Sequence, residues 1–234
     1  MRTDTAETQE VWLPVLAVRK VAEDTYQVDF SLRDGIFPFQ PGQYMQVTVQ
    51  ELLFPDPKGR SRFFTIVADP ADNKRASVVF RDTGSGFKRT LISGSRDIRL
   101  SLRGPYGSFH LPERSDRQLI LIGGGVGIAP FLTMARYALS ADYGYRIRLL
   151  QANTRKSRAA YLSEFTRLAK LHPSFEFLET YDPITPEVLM KLDQYDAAWF
   201  ICGPPRMVTE TRTMLAFAGI NMDNVFYEDF EGYL

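Results

Sequence analysis

A run of glycines in LILIGGGVGIAPFLTM joins an apolar strand pattern to a helix pattern. Gly123, Gly124, Gly125 and Gly127 remove side chains where a ligand backbone would come close. The helix N-terminus behind them offers unpaired N–H groups and partial positive charge to a pyrophosphate. Pro130 suits the first helical turn, where its missing N–H costs nothing. The pattern is G-x-G-x-x-P, not the dinucleotide fingerprint that ends in Gly or Ala, and a tight turn without a ligand remains the alternative. A second motif, CGPP at 202–205, follows the apolar strand pattern AAWFI. It stands at the carboxyl end of an expected parallel strand, where open α/β sheets bind ligands. Cys202 there is either a thiol beside a reacting ring or a buried structural cysteine.

Two further motifs lie in the first half. In RSRFFTI, Arg62 suits a phosphate, Phe64 covers a flat ring and Thr65 offers a hydroxyl. Strand alternation puts Arg62 and Phe64 on one face and Phe63 and Thr65 on the other, unless a bulge re-aims them. An ordinary strand with an exposed arginine is the alternative. In FRDTGSGFKRTL, Gly84 and Gly86 precede an expected helix start with Ser85 as cap. The backbone amides there suit a phosphate, or make a simple capped turn.

The elements that must position these residues read differently in the two halves. Up to about residue 111, VWLPVLAV, TYQVDFSL, QYMQVTV, RFFTIVA, ASVVFRD and DIRLSL are short runs broken by Gly, Pro and Asp. Their spacing suits an antiparallel sheet or small barrel, with one short helix at 87–93. The polar segment LPERSDR marks a boundary, dividing the chain into 8–112 and 113–234. After it, QLILIG, RIRLLQA, FEFLET, AAWFICG and NVFYEDF alternate with the helical patterns PFLTMARYALS, YLSEFTRLAKL, PEVLMKL and PRMVTETRTMLAFAG. That alternation argues for a doubly wound parallel sheet.

Composition narrows the function classes. Lys+Arg and Asp+Glu are both 28, which argues against a general nucleic-acid binder. The one cysteine, Cys202, excludes a disulfide within these residues and a cysteine-held iron–sulfur cluster, which takes about four thiolates. The histidines, His110 and His172, lie apart from other ligand types, so no metal site is expected. The polar, acidic start lacks signal-peptide character and no run approaches about 18 apolar residues, so the chain reads as cytoplasmic with no membrane span.

The order of motifs carries a resemblance. FQPGQYMQV, RFFTI, GSGFKRTL, RGPYGSF, GGGVGIAPF, CGPP and a terminal E-x-F together resemble the ferredoxin–NADP reductase superfamily, in particular its bacterial FAD/NAD(P)-binding members without an iron–sulfur domain. The resemblance covers 11–230 and implies a six-stranded antiparallel flavin barrel followed by a nicotinamide-binding α/β domain. It implies that Arg62 pairs with the FAD phosphates, Phe64 stacks on the isoalloxazine and Thr65 approaches the flavin N5. Phe63, Ile66 and Val67 supply backbone contacts near the ring. Phe64 replaces the usual Tyr, keeping the stacking surface and losing a hydroxyl. The phosphate turn falls on Gly86, Phe87, Lys88 and Arg89, where Lys88 replaces a common Ser and adds a cation. Gly104, Pro105 and Gly107 match the turn ending the barrel. Gly124, Gly125, Gly127 and Pro130 match the nicotinamide-phosphate loop. Cys202, Gly203 and Pro204 match its CGP motif, with the thiol close to nicotinamide C4. Glu228 matches the terminal carboxylate, with Phe230 as a ring-side aromatic, and the adenosine ribose falls on Asn153, Thr154, Arg155 and Arg158.

The activity implied is hydride transfer from NAD(P)H to FAD, with Thr65, Cys202 and Glu228 as the catalytic set. The basic, acid-free NTRKSR after RIRLLQA leans towards NADPH. The expected acceptor is a separate ferredoxin or flavodoxin, steered by Lys88, Arg89, Arg96, Arg99 and Arg103. A ferric or free-flavin reductase, and an electron-transfer subunit of a larger complex, stay open. The short tail EGYL is expected to leave the flavin face open.

Overall fold

The computed structural model describes residues 11–32, 38–69, 72, 74–94, 97–112, 117–140, 144–192 and 196–230. Arg96 and the tail 231–234 of the sequence reading lie outside them. The first half forms β1 (Leu13–Ala22), β2 (Thr25–Ser31), β3 (Tyr44–Val49), β4 (Ser61–Thr65), β5 (Arg75–Arg81) and β6 (Arg99–Tyr106), with α1 (Gly86–Ile92) between the last two. These strands are the six read from the apolar runs. They pair antiparallel in the order β4-β3-β6-β1-β2-β5. The chain just beyond β4 then bridges to β5: Val67 N–H donates to Ser77 O (2.9 Å) and Ser77 N–H to Val67 O (2.7 Å). The two ends of the six-stranded order are thereby joined.

Alternation sorts the side chains. Met45, Val47 and Val49 point into the barrel with Val28, Phe30, Val78, Phe80 and Leu100, and α1 adds Phe87 and Leu91 to the same core. Ser85 caps α1, its Oγ accepting from Lys88 N–H at 3.3 Å.

The second half forms β7 (Gln118–Gly124), α2 (Ala129–Ser140), β8 (Arg146–Ala152), α3 (Leu162–Leu171), β9 (Phe175–Thr180), α4 (Pro186–Lys191), β10 (Ala198–Gly203), α5 (Pro205–Phe217) and β11 (Val225–Asp229). The five strands are parallel, in the order β11-β10-β7-β8-β9. The continuous apolar run of β7 is explained by burial on both faces. Leu119 and Leu121 pack beneath α2 and α3, whereas Ile120 and Ile122 pack beneath α4 and α5. Between β7 and α2 the structure inserts a 3₁₀ turn, Gly125–Ile128, where the pattern had led straight into helix.

The two halves share a core. Val67 and Val79 of the barrel side join Phe131, Leu132 and Ala135 of α2 in one buried cluster. Thr133 is the polar tie within it: its Oγ1 accepts from Ala68 N–H (3.2 Å) and donates to Ile66 O (3.3 Å). Tyr161 adds a second, donating to Gln27 Oε1 at 2.6 Å. Among the described residues no helix is long and apolar enough to cross a membrane.

A cleft between the barrel and the parallel sheet

A cleft of about 1120 Å³ lies where the two halves meet. From the barrel side it is lined by Tyr44, the loop 55–58, Ser61, Arg62, Phe63, Phe64, Thr65, Val79, the turn 83–86 and Lys88. From the other side it is lined by Val126, Ala129, Glu228, Asp229 and Phe230. All five residues of β4 border it although alternation sends them to opposite faces. No bulge is involved, for β4 pairs with β3 in unbroken register. β4 is instead a terminal strand of the sheet order, and the cleft runs around its edge. Phe64 turns inward, stacked on Phe87 at 5.9 Å, while Phe63 is 61% exposed and packs edge-on to Tyr44 at 5.8 Å. Thr65 is buried, and its hydroxyl has no hydrogen-bond partner. A buried hydroxyl left unpaired at a cleft wall costs free energy that a ligand acceptor would recover.

Arg62 is held from behind. Its Nη2 donates to Asp56 Oδ1 at 2.7 Å, and its Nη1 to the carbonyls of Lys58 and Gly59. Asp56 also accepts the N–H groups of Lys58 (2.9 Å) and Phe87 (2.8 Å), which with Arg62 hold its carboxyl below its ordinary range despite burial. The loop 55–58 and α1 are thus fastened to one carboxylate. Lys88 lies in the cleft wall, nearly buried, with Nζ donating to Thr83 Oγ1 at 3.2 Å and poised over the Phe80 ring. Burial lowers its pKa to about 8, opposed by Asp82 and reinforced by Arg62, Arg81 and Lys58. It therefore stays largely protonated at neutral pH. Lys88 accordingly belongs to the cleft and not to a surface basic patch, while Arg89 points away and covers the Phe54 ring at 4.3 Å. Gly86 fits against the 54–55 backbone, where a Cβ would meet Pro55 O at 2.1 Å. Gly84 adopts φ +77° at the open end of the same turn.

On the second side the glycines answer to packing between strand ends. A Cβ on Gly124 would meet Met207 Sδ at 2.3 Å, and one on Gly127 would meet Cys202 O at 2.3 Å. A Cβ on Gly203 would meet Gly124 Cα at 3.1 Å. Gly125 alone faces the barrel, with the Arg81 guanidinium at 3.4 Å from a notional Cβ. Pro130 is buried in the first turn of α2, as expected of a residue without an N–H. Cys202 pairs in register with Gly123 on one side and Glu228 on the other. It is fully buried in the shared core and does not line the cleft, and burial raises its pKa well above the ordinary thiol value. It is a neutral thiol in this structure, suited to shaping the wall and not to nucleophilic attack. Glu228 does reach the cleft. Burial, then Asp229, raises its pKa to about 7, and its Oε2 has no partner. Phe230 packs against the core beside Cys202, and its N–H donates to Gly203 O at 3.2 Å.

Thr154 and Arg155 lie beyond β8, away from the cleft. Arg155 pairs with Glu23 of the β1–β2 turn. Asn153 and Arg158 there carry buried side-chain nitrogens without partners. Sequence reasoning missed Asp56, Tyr44, Asp229 and Glu23. Asp56 stands in the run FPDPKGR, where nothing local shows that its carboxylate supports Arg62. Among the described residues no group of His, Cys, Asp and Glu comes together as a metal site requires.

Residues 121–213 match the family model of the oxidoreductase NAD-binding domain. The chain is 31% identical to the aromatic O-demethylase reductase subunit of Amycolatopsis, over 83% of this chain and 61% of that protein. It is 26% identical to the propane 2-monooxygenase reductase component of Mycolicibacterium goodii, over 95% of this chain and 68% of that protein. It thus spans about two thirds of the length of the curated relatives it matches. Its fold superposes on an Amycolatopsis cytochrome P450 reductase with TM-score 0.79 at 24% identity, covering 97% of this chain and 71% of that one. It also superposes on ferredoxin–NADP+ reductase from Plasmodium falciparum with TM-score 0.76 at 15% identity, covering 94% and 96%. With the antiparallel barrel, the parallel sheet and the cleft between them, these matches lead to one conclusion: the chain is an NAD(P)H-dependent flavin oxidoreductase that carries an oxidoreductase NAD-binding domain and has the two-domain fold of ferredoxin–NADP+ reductase.

Proposed function

We propose that this chain holds FAD in the cleft, receives electrons from a nicotinamide dinucleotide there, and passes them to a redox centre outside these residues. The observation that carries the reading is the convergence on one cleft of an unpaired buried hydroxyl (Thr65), two cations (Arg62, Lys88) and a carboxyl raised to about 7 (Glu228). These residues fit FAD: the cations suit its pyrophosphate, the Thr65 hydroxyl suits a ring nitrogen, and Tyr44, Phe63 and Phe64 suit its flat surfaces. Bound FAD would supply a two-electron acceptor for the nicotinamide and a stepwise donor to the next centre.

The residues themselves act by position and charge. Asp56 keeps the Arg62 guanidinium aimed while Lys88 adds charge deeper in the wall. Thr65 presents its hydroxyl at the ring edge. Glu228, protonated in about half of the molecules near pH 7, holds or releases a proton in the cleft wall. Phe230 lines the wall that receives the nicotinamide and is tied by its N–H to Gly203 O, so that the Cys202–Pro204 turn, with its thiol buried, supports that wall from behind. The loop bearing Thr154 and Arg155 takes the adenosine ribose. Its basic residues support NADPH; the acid paired with Arg155 supports NADH.

The acceptor we favour is a separate ferredoxin-type protein, with a flavodoxin as the other form. Named relatives include reductase components of a propane monooxygenase and an aromatic O-demethylase, and a phthalate dioxygenase reductase described as passing electrons from pyridine nucleotides to [2Fe-2S]. Those proteins extend beyond the region matched here. The test is an anaerobic absorbance titration of purified, FAD-loaded protein with each dinucleotide. Bleaching of the visible flavin bands is expected. A flavin that neither dinucleotide bleaches, or a protein that refuses FAD, would overturn the reading.

A further inference from the structure

The β1–β2 turn of the barrel is clipped onto the loop after β8. Glu23 N–H donates to Ser157 O at 2.7 Å. Its carboxylate accepts from Ser157 Oγ at 2.5 Å and from Arg155 Nε at 3.0 Å, and Arg155 Nη2 completes the ion pair. The loop 153–160 contains no acid of its own, but it contains Arg155, Lys156 and Arg158. An acidic residue is nevertheless present at this loop, delivered from the other domain, 132 positions earlier in the chain. The hydrogen bonds from Ser157 and Arg155 hold the Glu23 carboxyl below its ordinary range, with Arg155 and Arg158 the facing cations. The pair is partly exposed, with side-chain accessibilities of 53% for Arg155 and 32% for Glu23, so a ligand can reach it.

The consequence concerns the ribose. An unphosphorylated ribose brings hydroxyl donors, which a carboxylate accepts, whereas a 2′-phosphate brings negative charge and needs a guanidinium not already engaged. Here the Arg155 guanidinium is engaged, and the group engaging it would face the phosphate. We propose that Glu23 is a specificity-determining residue, which favours NADH over NADPH by holding Arg155 and presenting its carboxylate to the adenosine ribose. The proposal rests on the assignment of the 153–158 loop to that ribose.

The test uses the FAD-loaded full chain and two probes, 5′-AMP and 2′,5′-ADP, measured by calorimetry. The wild type is expected to bind 5′-AMP at least as tightly as 2′,5′-ADP. Glu23→Gln keeps the shape and removes the charge. It should shift the ratio of the two dissociation constants towards 2′,5′-ADP by about fivefold or more, with a parallel shift in the NADPH-to-NADH ratio of kcat/KM. Adding Arg155→Ala to Glu23→Gln should abolish the gain. A merely structural clip would change both probes alike, so an unchanged ratio in Glu23→Gln overturns the proposal, as does a wild type that prefers 2′,5′-ADP. If Arg155→Ala alone leaves both probes binding as in wild type, the loop is not the ribose site, and the assignment fails together with the proposal.

Discussion

Among the described residues, Thr65 and Glu228 are the cleft side chains with a buried polar atom that the protein itself leaves unpaired, the Thr65 hydroxyl and Glu228 Oε2. For Thr65, the hydroxyl is a cost in the flavin-free fold and an asset once an acceptor is bound. Thr65→Val keeps the shape and deletes the hydroxyl. The flavin-free variant should be as stable as wild type or about 1 kcal/mol more stable in denaturant unfolding. FAD reduction by dinucleotide, followed by stopped flow, should slow about ten- to hundredfold. An unchanged reduction rate would remove Thr65 from the site. Glu228 is a question of sign. Its folded pKa, about 7, exceeds its ordinary 4.5, so the folded state binds this proton more tightly than the unfolded one. The stability it contributes is complete below the ordinary value and is lost as pH rises through about 7, with an upper bound on the order of 3 kcal/mol. The stability of wild type relative to Glu228→Gln, both without flavin, should therefore fall over that window. Parallel stability–pH curves would mean that the carboxyl is solvated.

Among the elements, the turn from β7 into α2 has a double task. Its glycines were expected to make room for a ligand, yet Gly124 and Gly127 make room for β10 and its following turn. At Gly127 a methyl group would sit 2.3 Å from a backbone carbonyl, which cannot rotate away. Gly127→Ala should cost about 1–3 kcal/mol in thermal or denaturant unfolding and also weaken dinucleotide binding, because the ends of β7 and β10 are forced apart. Full retention of both would show that the strand ends relax freely. The same turn packs against the backbone carbonyl of Cys202, whose thiol is fully buried.

For the molecule as a whole, the two layers are one folding unit as far as packing is concerned. Val67 and Val79 join the core of the parallel sheet, and Thr133 satisfies both Ala68 N–H and Ile66 O. Thr133→Val would leave both backbone groups buried and unpaired. We expect a loss of about 2–4 kcal/mol in global stability and faster amide exchange at Ala68. Exchange unchanged at Ala68 would mean that water replaces the threonine. Since the cleft is walled from both sides, the same change should loosen FAD binding.

Periodicity in the sequence by itself determined the eleven strands' approximate places, the antiparallel-then-parallel order and the helices between, because period-2, continuous-apolar and 3.6-residue patterns are set by neighbours along the chain. Motif order also identified Arg62, Phe64, Thr65, Lys88 and Glu228, which the fold does bring to one cleft. Only the tertiary structure decided which groups stand behind them. Asp56 supports Arg62 and the N-terminal turn of α1 across 31 positions; Glu23 meets Arg155 across 132; the turn at Gly127 packs against the backbone of Cys202. No local pattern encodes such pairings. They arise when strand order and sheet twist fold distant turns together, and a carboxylate whose partner lies in another domain looks, in sequence, like any solvated acid.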